Sequence, residues 1–444
     1  MYRNQAERVK TGFLLLNKNN LAKFFFYLLI IFLPTQFGKH FWPQSSFVYG
    51  LRLDYLSPTI YVTDIFIVLI FVFYLPSFIN ALRKINKNKL VIFLFFVLSL
   101  FLGINSSKNF PAGFYGLIKF FEFSFLAFYV YQNIKIINKK IIFYCFSASI
   151  VFESLLSFLQ YVNQGSIGSL FYFFGERQYF LQTPGVANAS INGQLVLRTY
   201  ATFSHPNVLA GFLVITMFFL FLFLPKGGIA KTLLVSALSL GTLSLFLSLS
   251  RASILVWFIC LSLLFCLLIY KKYKKGKSNI KTSIFAASAL IIFSLFLIFQ
   301  NSLLAQRFLS TSLLDESIIQ RENLFHQAIN MFEKNPVFGI GLNNFYNNLN
   351  PFSNKILLIQ PAHNIFILIL SQAGIIGFLF FLSILIFGFI KIISVKTNKR
   401  KYLFCLFFSV CFLGMFDHYF LTLQQGQLLL TLFLGTVLAS KNLS

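Results

Sequence analysis

Long apolar runs alternate with short polar segments along almost the whole chain. A helix needs roughly 20 apolar residues to cross the hydrocarbon core of a bilayer, so this pattern predicts about 12 transmembrane helices. We expect them near residues 21–36, 59–82, 90–104, 113–132, 141–163, 206–224, 232–249, 252–270, 282–300, 363–390, 402–418 and 420–440. The predicted fold class is all-α, in the form of a polytopic integral membrane protein with two long outward-facing segments.

Two parts of this assignment are less clearly marked than the rest. The run at 90–104 is short, and the runs at 232–249 and 252–270 are separated only around Ser250 and Arg251, without a glycine or proline to mark a turn. If the latter two runs formed one helix, every later segment would lie on the opposite side of the membrane. The positions of the basic residues argue against that inversion.

Composition and charge agree with a membrane protein. Hydrophobic residues make up 57% of the chain and charged residues 11%, which excludes an ordinary water-soluble domain. The net charge of +26 could suggest a nucleic-acid partner, but the basic residues concentrate in alternate polar segments. The main clusters run from Arg83 to Lys89, Lys135 to Lys140, Lys271 to Lys281 and Lys391 to Lys401. This is the positive-inside pattern, so we expect contacts with membrane lipids and none with nucleic acid.

The same charges predict the orientation of the chain. Threading the helices from an inside N-terminus puts every basic cluster on the cytoplasmic face and both termini in the cytoplasm. Two long segments, about 164–205 and 301–362, then lie outside, where we expect the functional residues. On this basis we divide the chain into residues 1–205, with helices one to five and the first outer segment, and residues 206–444, with the later helices and the large outer loop.

The second outer segment contains a stretch with helical periodicity, Ser317 to Lys334. Its apolar face is predicted to consist of Ile318, Phe325, Ala328, Ile329 and Phe332. Arg321 falls on that face and needs an anionic partner, because an unpaired buried charge is costly. A structural ion pair or a snorkelling side chain would satisfy it, and so would phosphate oxygens bound by the guanidinium. Asn335-Pro336 is expected to end the helix and Gly339-Ile340-Gly341 to follow as a flexible turn.

Three further sites carry polar groups next to apolar runs. His363 is predicted in the first turn of a long helix, where the helix dipole keeps imidazole neutral, as a general base requires; an interfacial or capping histidine is the alternative. Arg251 lies at the outer end of two apolar runs and is either an anion ligand or a surface anchor. Lys119 and Glu122 are three residues apart within a span and most simply form a structural ion pair.

All five cysteines lie in apolar runs, so we expect packing roles for them. The outer segments carry no obvious Asp/Glu cluster for a divalent metal. We therefore predict no metal site and no cofactor.

Several of these residues stand in motifs that resemble the O-antigen ligase and O-antigen polymerase family of bacterial envelope glycosyltransferases. The segment Arg198 to Asn207, RTYATFSHPN, is similar to the family's signature of Arg, Gly or Ala, Thr, Phe, any residue, His, Pro and Asn. Ala201 stands where many relatives have Gly. The remaining pieces are Ser250-Arg251-Ala252-Ser253, Arg321 to Ala328, Asn335 to Gly341, His363-Asn364, Gln372 to Gly377, Asp417-His418-Tyr419 and Gln424-Gln425. Together they cover roughly residues 198–430.

This resemblance implies a membrane transferase that moves a glycan from an undecaprenyl-diphosphate carrier to an acceptor hydroxyl, on the outer face of the bacterial cytoplasmic membrane. His363 would then be the general base, while Arg251 and Arg321 would hold the diphosphate and stabilise its charge as it leaves. Arg198, His205, Asn207 and Asn364 are the substrate-binding candidates. The acceptor would be a hydroxyl-bearing glycan, lipid or protein, and no nucleotide sugar is needed.

Different activities share these motifs. A ligase moves a finished chain onto an envelope acceptor, a polymerase links repeat units on the carrier, and a protein O-oligosaccharyltransferase uses a Ser or Thr acceptor. A transporter or lipid flippase is the alternative from another class. Such proteins usually have repeated halves or interrupted helices near the bilayer midplane, and the sequence has no visible repeat.

Overall fold

The computed structural model describes residues 18–191, 193–274, 316–350 and 359–443. The helices in these ranges are α1 (18–31), α2 (Val62–Leu82), α3 (Lys87–Asn105), α4 (Phe110–Asn133), α5 (Lys139–Asn163), α6 (Pro206–Phe223), α7 (Gly228–Leu247), α8 (Arg251–Lys274), α9 (Glu316–Lys334), α10 (Ile365–Ile393), α11 (Lys399–Phe416), α12 (Tyr419–Thr422) and α13 (Gln424–Leu438). The strands are β1 (Gly38–His40), β2 (Phe47–Val48), β3 (Leu51–Arg52), β4 (Thr59–Tyr61), β5 (Asn188–Ile191) and β6 (Gln194–Leu197). The ninth predicted span, 282–300, lies outside the described residues.

Eight of the described helices, α2 to α8 and α10, are long and apolar enough to cross a membrane. The chain is therefore a mostly helical, polytopic membrane protein, and the full number of twelve spans stays a prediction. The first helix ends at residue 31, five residues before the predicted end of its span. The chain turns at residues 32–34, and Pro34 cannot continue a helix because it lacks an amide hydrogen.

The apolar runs at 232–249 and 252–270 are separated by a break between two helices. α7 ends at Leu247 and α8 begins at Arg251. Between them Leu249 adopts a left-handed conformation with φ of 50°, which interrupts the helical path without a glycine. The two runs therefore form two helices, as predicted.

Short antiparallel strand pairs modify the predicted all-α fold. In the described chain β1 pairs with β4, β2 with β3 and β5 with β6. The pairing of Gly38 with Tyr61 and of His40 with Thr59 takes residues 59–61 out of the predicted second span, which begins at Val62. These strands are too short for a period-two pattern to be recognised in the sequence. The strands β1 to β4 fold the first loop over the end of the helix bundle, and β5 and β6 form a hairpin in the segment before α6.

The core of the bundle is built around α6. This helix is apolar on all sides and buried along nearly all of its length, as expected for a helix enclosed by others. It packs against α5, α7, α8 and α11, so helices on both sides of residue 205 share one core. Polar residues occur inside the bundle as well. The predicted ion pair of Lys119 and Glu122 is confirmed at 3.0 Å, and Asp64 of α2 adds a second carboxylate at 2.6 Å.

The long helix α10 is broken at Gly374, where φ is 63° and ψ is −168°. The segment after α9 fits into this break. The Ile375 amide donates to the Pro336 carbonyl (2.8 Å), and the Ile340 amide donates to the Ser371 carbonyl (3.0 Å). Backbone thus pairs with backbone at the contact between the two segments.

Glycines make this close approach possible. A Cβ on Gly374 would lie 2.3 Å from the Val337 carbonyl oxygen, and one on Gly339 would lie 2.4 Å from the Gln372 carbonyl carbon. The prediction of a flexible turn at Gly339 to Gly341 was therefore wrong, because both glycines have positive φ for a packed contact. This joint fixes the position of α9 against α10.

Candidate functional site

The polar residues singled out in the sequence gather at one end of the helix bundle. The start of α6, the break between α7 and α8, the start of α10 and the segment after α11 meet there. The first loop and α9 lie against them. The polar residues described below lie at this end, and Lys119 and its partners lie within the bundle. The opposite end carries Lys87, Lys139 and Lys399 at the starts of helices.

His363 and Arg321 line the same pocket, which has a volume of about 330 Å³. The walls are completed by Glu322, Phe325, Asn364, Met415 and Phe416. The pocket thus brings the guanidinium of α9 and an imidazole from the segment before α10 to a surface that is otherwise largely apolar. Met415 and Phe416, at the end of α11, are about half exposed.

The prediction that His363 lies in the first turn of the helix was wrong, because His363 lies just before that turn. Asn364 is the N-cap, and its side-chain oxygen accepts from the amides of Phe366 (2.9 Å) and Ile367 (3.2 Å). An asparagine at the N-cap satisfies amides that have no partner within the helix. Asn364 therefore positions His363, and its side-chain amide group remains at the pocket wall.

Arg321 is exposed, and the packed face of α9 is rotated from the predicted one. Leu324, Ala328 and Met331 pack against α10, whereas Phe325 is 40% exposed. The predicted face was wrong in this respect because periodicity cannot tell which edge of a broad apolar stripe meets the neighbouring helix. Arg321 lies about one helical turn before Leu324 on the same side of α9, and there it lines the pocket. Among the described residues no carboxylate forms an ion pair with it. The side chain of Ile318 lies outside the described part.

Asp417, at the end of α11, is the anionic centre beside this pocket. One carboxylate oxygen accepts from the Asn207 side-chain amide (2.9 Å) and the other from the His418 backbone amide (2.8 Å). Burial alone would raise the pKa of this carboxyl group. His418, His363 and His205, together with the Asn207 hydrogen bond, instead lower its pKa to about 2. Asp417 is therefore ionised at any physiological pH.

Arg198 holds the other side of Asn207. It is buried, its Nη2 donates to the Asn207 side-chain oxygen (2.7 Å), and its Nε donates to the Ser248 carbonyl (2.9 Å). The break between α7 and α8 supplies that carbonyl. Arg198, Asn207 and Asp417 thus form a chain of charge-assisted hydrogen bonds across three separate segments.

His205 is the N-cap of α6, and its Nδ1 accepts from the Asn207 backbone amide (3.1 Å). A nitrogen that accepts a hydrogen bond carries no proton, so the proton of the neutral ring is on Nε2. Burial, together with the charge of Arg198, lowers the pKa of His205 to about 3. His205 is therefore a neutral donor at this end of the bundle.

His418 packs against His363, with ring centroids 4.9 Å apart and planes at 79°. Its Nδ1 lies 2.6 Å from the Thr422 hydroxyl. On its other side the ring meets Tyr55 of the first loop edge-to-face. Burial lowers the pKa of His418 to about 3, against the opposing charge of Asp417. The two histidines are thus adjacent and neutral.

The environment of His363 suits a base. Burial lowers the pKa of His363, and the charge of Arg321 acts in the same direction, while the Asp417 carboxylate opposes both. The ring is therefore unprotonated near neutral pH and able to accept a proton.

Arg251 begins α8, directly after the break that provides the Ser248 carbonyl. It is partly exposed, and it is not among the residues that line the pocket of His363 and Arg321. The structure brings it to the same end of the bundle, next to the segment that binds Arg198.

The motif that ends in His205 is fixed to α5 by two buried side chains. The Gln160 oxygen accepts from the amides of Tyr200 and Ala201, and Glu153 accepts from both the amide and the hydroxyl of Thr202. Ala201 has φ of 49°, in the left-handed region. Glycine would adopt this conformation without strain.

Sequence reasoning did not assign roles to Asp417, His418, Thr422 or Tyr55. The triplet Asp417-His418-Tyr419 is part of the resemblance, and a histidine beside an acid at the end of an apolar run is a signal in the sequence for a polar site. Tyr55 offers no such signal. In the described part of the chain no group of three His, Cys, Asp or Glu side chains is arranged to hold a metal ion.

The fold and this site define a polytopic membrane protein with a pocket at one end of its bundle that is lined by an arginine and a histidine. Residues 234–382 match the model of the O-antigen ligase family, which confirms the resemblance found in the sequence. The matched stretch includes Arg251, Arg321 and His363. The segments around Arg198 and Asp417 lie outside it but contact it in the structure. No curated protein matches the chain significantly.

Proposed function

We propose that this protein transfers a glycan from an undecaprenyl-diphosphate carrier to an acceptor hydroxyl at the outer face of the bacterial cytoplasmic membrane. One observation carries the proposal most directly. Arg321 of α9 and His363, just before α10, line one pocket, and no described carboxylate pairs with the arginine. The pocket therefore offers a cation for an anionic leaving group and a neutral base for a hydroxyl.

His363 is the general base of this mechanism. Its unprotonated ring accepts the proton of the acceptor hydroxyl while the oxygen forms a bond to the anomeric carbon of the donor sugar. The bond from that carbon to the diphosphate oxygen breaks at the same time. Asp417 stabilises the imidazolium that forms, since its carboxylate raises the pKa of His363.

Arg321 stabilises the charge of the departing diphosphate. A planar guanidinium matches two phosphate oxygens, and its effect is larger in a pocket with apolar walls than in water. Arg251 is assigned to the same diphosphate from the neighbouring helix start. Arg198, His205 and Asn207 are positioning residues in this scheme, because Arg198 binds Asn207 and the Ser248 carbonyl, His205 accepts from the Asn207 amide, and Asn207 binds Asp417. Asn364 acts through the helix start that presents His363.

The orientation of the site supports the outer face. The site lies at the end of the bundle that carries the long loops, and the basic helix starts lie at the other end. By the positive-inside rule the basic end is cytoplasmic. Undecaprenyl-linked glycans on the outer leaflet would then reach the pocket from the bilayer, without a nucleotide sugar.

Two other activities of similar sequences remain alternatives, namely polymerisation of repeat units and O-glycosylation of a protein. A ligase is the preferred assignment because the matched family bears that description. A transporter or lipid flippase is the alternative from a different class. The His363 and Arg321 pocket at the bundle end supports catalysis over transport.

A glycan size profile tests these possibilities. Surface and carrier-linked glycans of the native strain would be compared between wild type, His363→Ala and Arg321→Ala at equal protein levels. The exposed His326 of α9 provides the control variant His326→Ala, since it does not line the pocket. Loss of transfer with full-length chains left on the carrier identifies a ligase, and single repeat units in place of a ladder identify a polymerase. Unchanged profiles in both pocket variants would refute the catalytic assignment and favour transport.

A further inference from the structure

The segment between α5 and β5 contains a cluster of exposed aromatic side chains. Residues Ser169–Phe174, SLFYFF, form a short 3-10 helix, which we call the aromatic turn. Its large exposed side chains are Leu170, Tyr172, Phe173 and Phe174, and Phe173 is 67% exposed. A contiguous apolar patch of this kind marks a surface that another molecule covers.

The contacts of the aromatic turn place it well below the end of α5 that faces the site. The Phe171 and Phe174 rings pack against the Phe152 ring, with centroids 6.2 Å and 5.3 Å away. Phe152 is roughly 20 Å along α5 from Lys139, at 1.5 Å per residue. The basic start of α5 marks one membrane boundary, and the hydrocarbon core is about 30 Å thick. Phe152 therefore lies about 10 Å inside the boundary at the site end of the bundle, here called the site-side boundary.

The chain rises again after the aromatic turn. The Glu176 carboxylate accepts from the Gln160 side-chain amide at 2.7 Å. Gln160 is roughly 30 Å along α5 from its start, so Glu176 lies near the site-side boundary. The segment thus leaves α5 after Asn163, dips to the level of Phe152 and returns to the level of Gln160.

The backbone of the segment is prepared for an apolar environment. Amides that enter hydrocarbon need partners within the protein. The buried Glu176 carboxylate accepts from the amides of Ile167 (2.8 Å) and Gly168 (2.7 Å), and two amides further along donate to carbonyls of the same segment. Residues 166–175 carry no charged side chain. Immersion of the aromatic turn therefore strands no charge.

The exposed side of the aromatic turn continues a surface that lipid covers. Leu155 and Leu159 follow Phe152 on the same face of α5, and both are about half exposed on the outside of the bundle. α5 is apolar enough to span the membrane, so this face meets acyl chains. Arg177 follows the turn and is exposed near the site-side boundary. A guanidinium at that height suits the phosphates of lipid head groups.

From these observations we infer that the aromatic turn is a re-entrant element inserted among the acyl chains of the leaflet at the site end of the bundle. The inference goes beyond the proposed transfer reaction and does not depend on it. In the proposed orientation this is the outer leaflet, and part of the first outer segment lies inside the bilayer. Gln160, which binds Glu176, also accepts from the amides of Tyr200 and Ala201. One side chain thus joins the inserted segment to the motif that ends in His205.

Tryptophan fluorescence in bilayers tests the inference without a substrate. The full-length Phe173→Trp variant is placed in nanodiscs of phosphatidylcholine, either unmodified or brominated in the acyl chains. Bromine quenches an indole only on contact, whereas iodide in the buffer quenches an indole that is exposed to water. The emission of the wild type, which comes from Trp42 and Trp257, is subtracted under each condition.

Two matched variants provide the reference signals. Phe158→Trp puts the indole on the lipid-facing side of α5, and Tyr49→Trp puts it at the tip of the hairpin β2–β3, above the start of α4. Both original side chains are about half exposed. Phe173→Trp should lose the same fraction of its emission to the bromolipid as Phe158→Trp, and much less to iodide than Tyr49→Trp. Leu170→Trp, a second position on the aromatic turn, should give the same pattern.

The other outcomes overturn the inference. Iodide quenching as strong as in Tyr49→Trp, without quenching by bromolipid, would place the aromatic turn in water. Protection from both quenchers would show that protein covers it, such as a second copy of this chain. Transfer activity is a separate readout: bromolipid quenching of Phe173→Trp together with normal transfer by His363→Ala would support insertion and refute the proposed chemistry.

Discussion

Asn207 and Asp417 are 210 positions apart in the sequence, and a hydrogen bond of 2.9 Å joins their side chains. The bond links the start of α6 to the end of α11, and Arg198 binds the same asparagine from the opposite side. An ionised carboxylate is thereby kept beside His363 and His418. The basicity of the site depends on contacts that are distant in sequence.

The acid limb of the pH–rate profile should lie below pH 6.5, the usual pKa of imidazole, because the pKa of His363 is lowered. Transfer requires the unprotonated ring, so activity should persist as pH falls towards that lowered pKa and be lost below it. The measurement is kcat/KM against pH for the purified protein with a lipid-linked donor. A limb well above pH 6.5 would contradict the assignment of His363 as the base.

Asp417→Asn should weaken the base. Its carboxylate raises the pKa of His363, so removing it should shift the acid limb to lower pH and reduce the plateau rate by about 100-fold, a typical contribution of general-base assistance. The same pH profile measures both effects. His326→Ala is the control, with a wild-type profile expected. An unshifted limb with a full plateau rate would show that Asp417 does not act on the base.

Arg321→Lys should be a poor substitute for arginine. Lysine keeps the charge but loses the planar fork, so we expect kcat/KM to fall by about tenfold, and by about 100-fold or more in Arg321→Ala. Steady-state kinetics with varied donor provide the measurement, and Lys334→Ala at the exposed far end of α9 is the control. Equal activity of the lysine variant and the wild type would indicate that Arg321 acts only as a point charge.

Gly374→Ala should disrupt the joint between α9 and α10. The new Cβ would lie 2.3 Å from the Val337 carbonyl oxygen, at a residue with φ of 63°. Backbone strain of this kind costs about 1–3 kcal/mol before any clash is relieved. We expect a lower thermal midpoint and reduced transfer. Gly228→Ala is the matched control, because its Cβ would meet nothing within 4 Å. Similar midpoints for the two variants would argue against a rigid joint.

Ala201→Gly should stabilise the protein slightly, by no more than about 1 kcal/mol. Glycine adopts the left-handed conformation of residue 201 without strain, although it loses more entropy on folding. Ala201→Val should destabilise, because a β-branched residue is unfavourable at positive φ and this site is fully buried. Thermal unfolding of the detergent-solubilised protein distinguishes the two variants. Stabilisation by valine would contradict the assigned backbone conformation.

The sequence predicted most of the helices, because long apolar runs are a strong and local signal. It also predicted that Arg321 and His363 matter, since each stands out against an apolar surrounding. It could not predict which edge of α9 packs against α10, because the apolar stripe is broad and the choice depends on the neighbouring helix. The periodicity therefore predicts Phe325 on the packed face, which Leu324 and Met331 occupy instead.

Other parts of the site depend on long-range contacts that periodicity does not contain. Tyr55 reaches His418 because short strands fold the first loop over the bundle, and strands of two or three residues leave no recognisable pattern. Asp417 acquires its role only when α6 brings Asn207 next to it. In both cases the residue type was visible in the sequence, but its partner was not.

The three residues between α7 and α8 have two effects at once. In a continuous helix the Ser248 carbonyl would accept the amide four residues ahead instead of the Arg198 Nε. The left-handed Leu249 prevents this and also reverses the direction of the chain. An insertion or substitution that fused α7 and α8 would therefore turn the remaining helices over in the membrane and remove the Ser248 acceptor of Arg198 in the same event, so that topology and site chemistry would fail together.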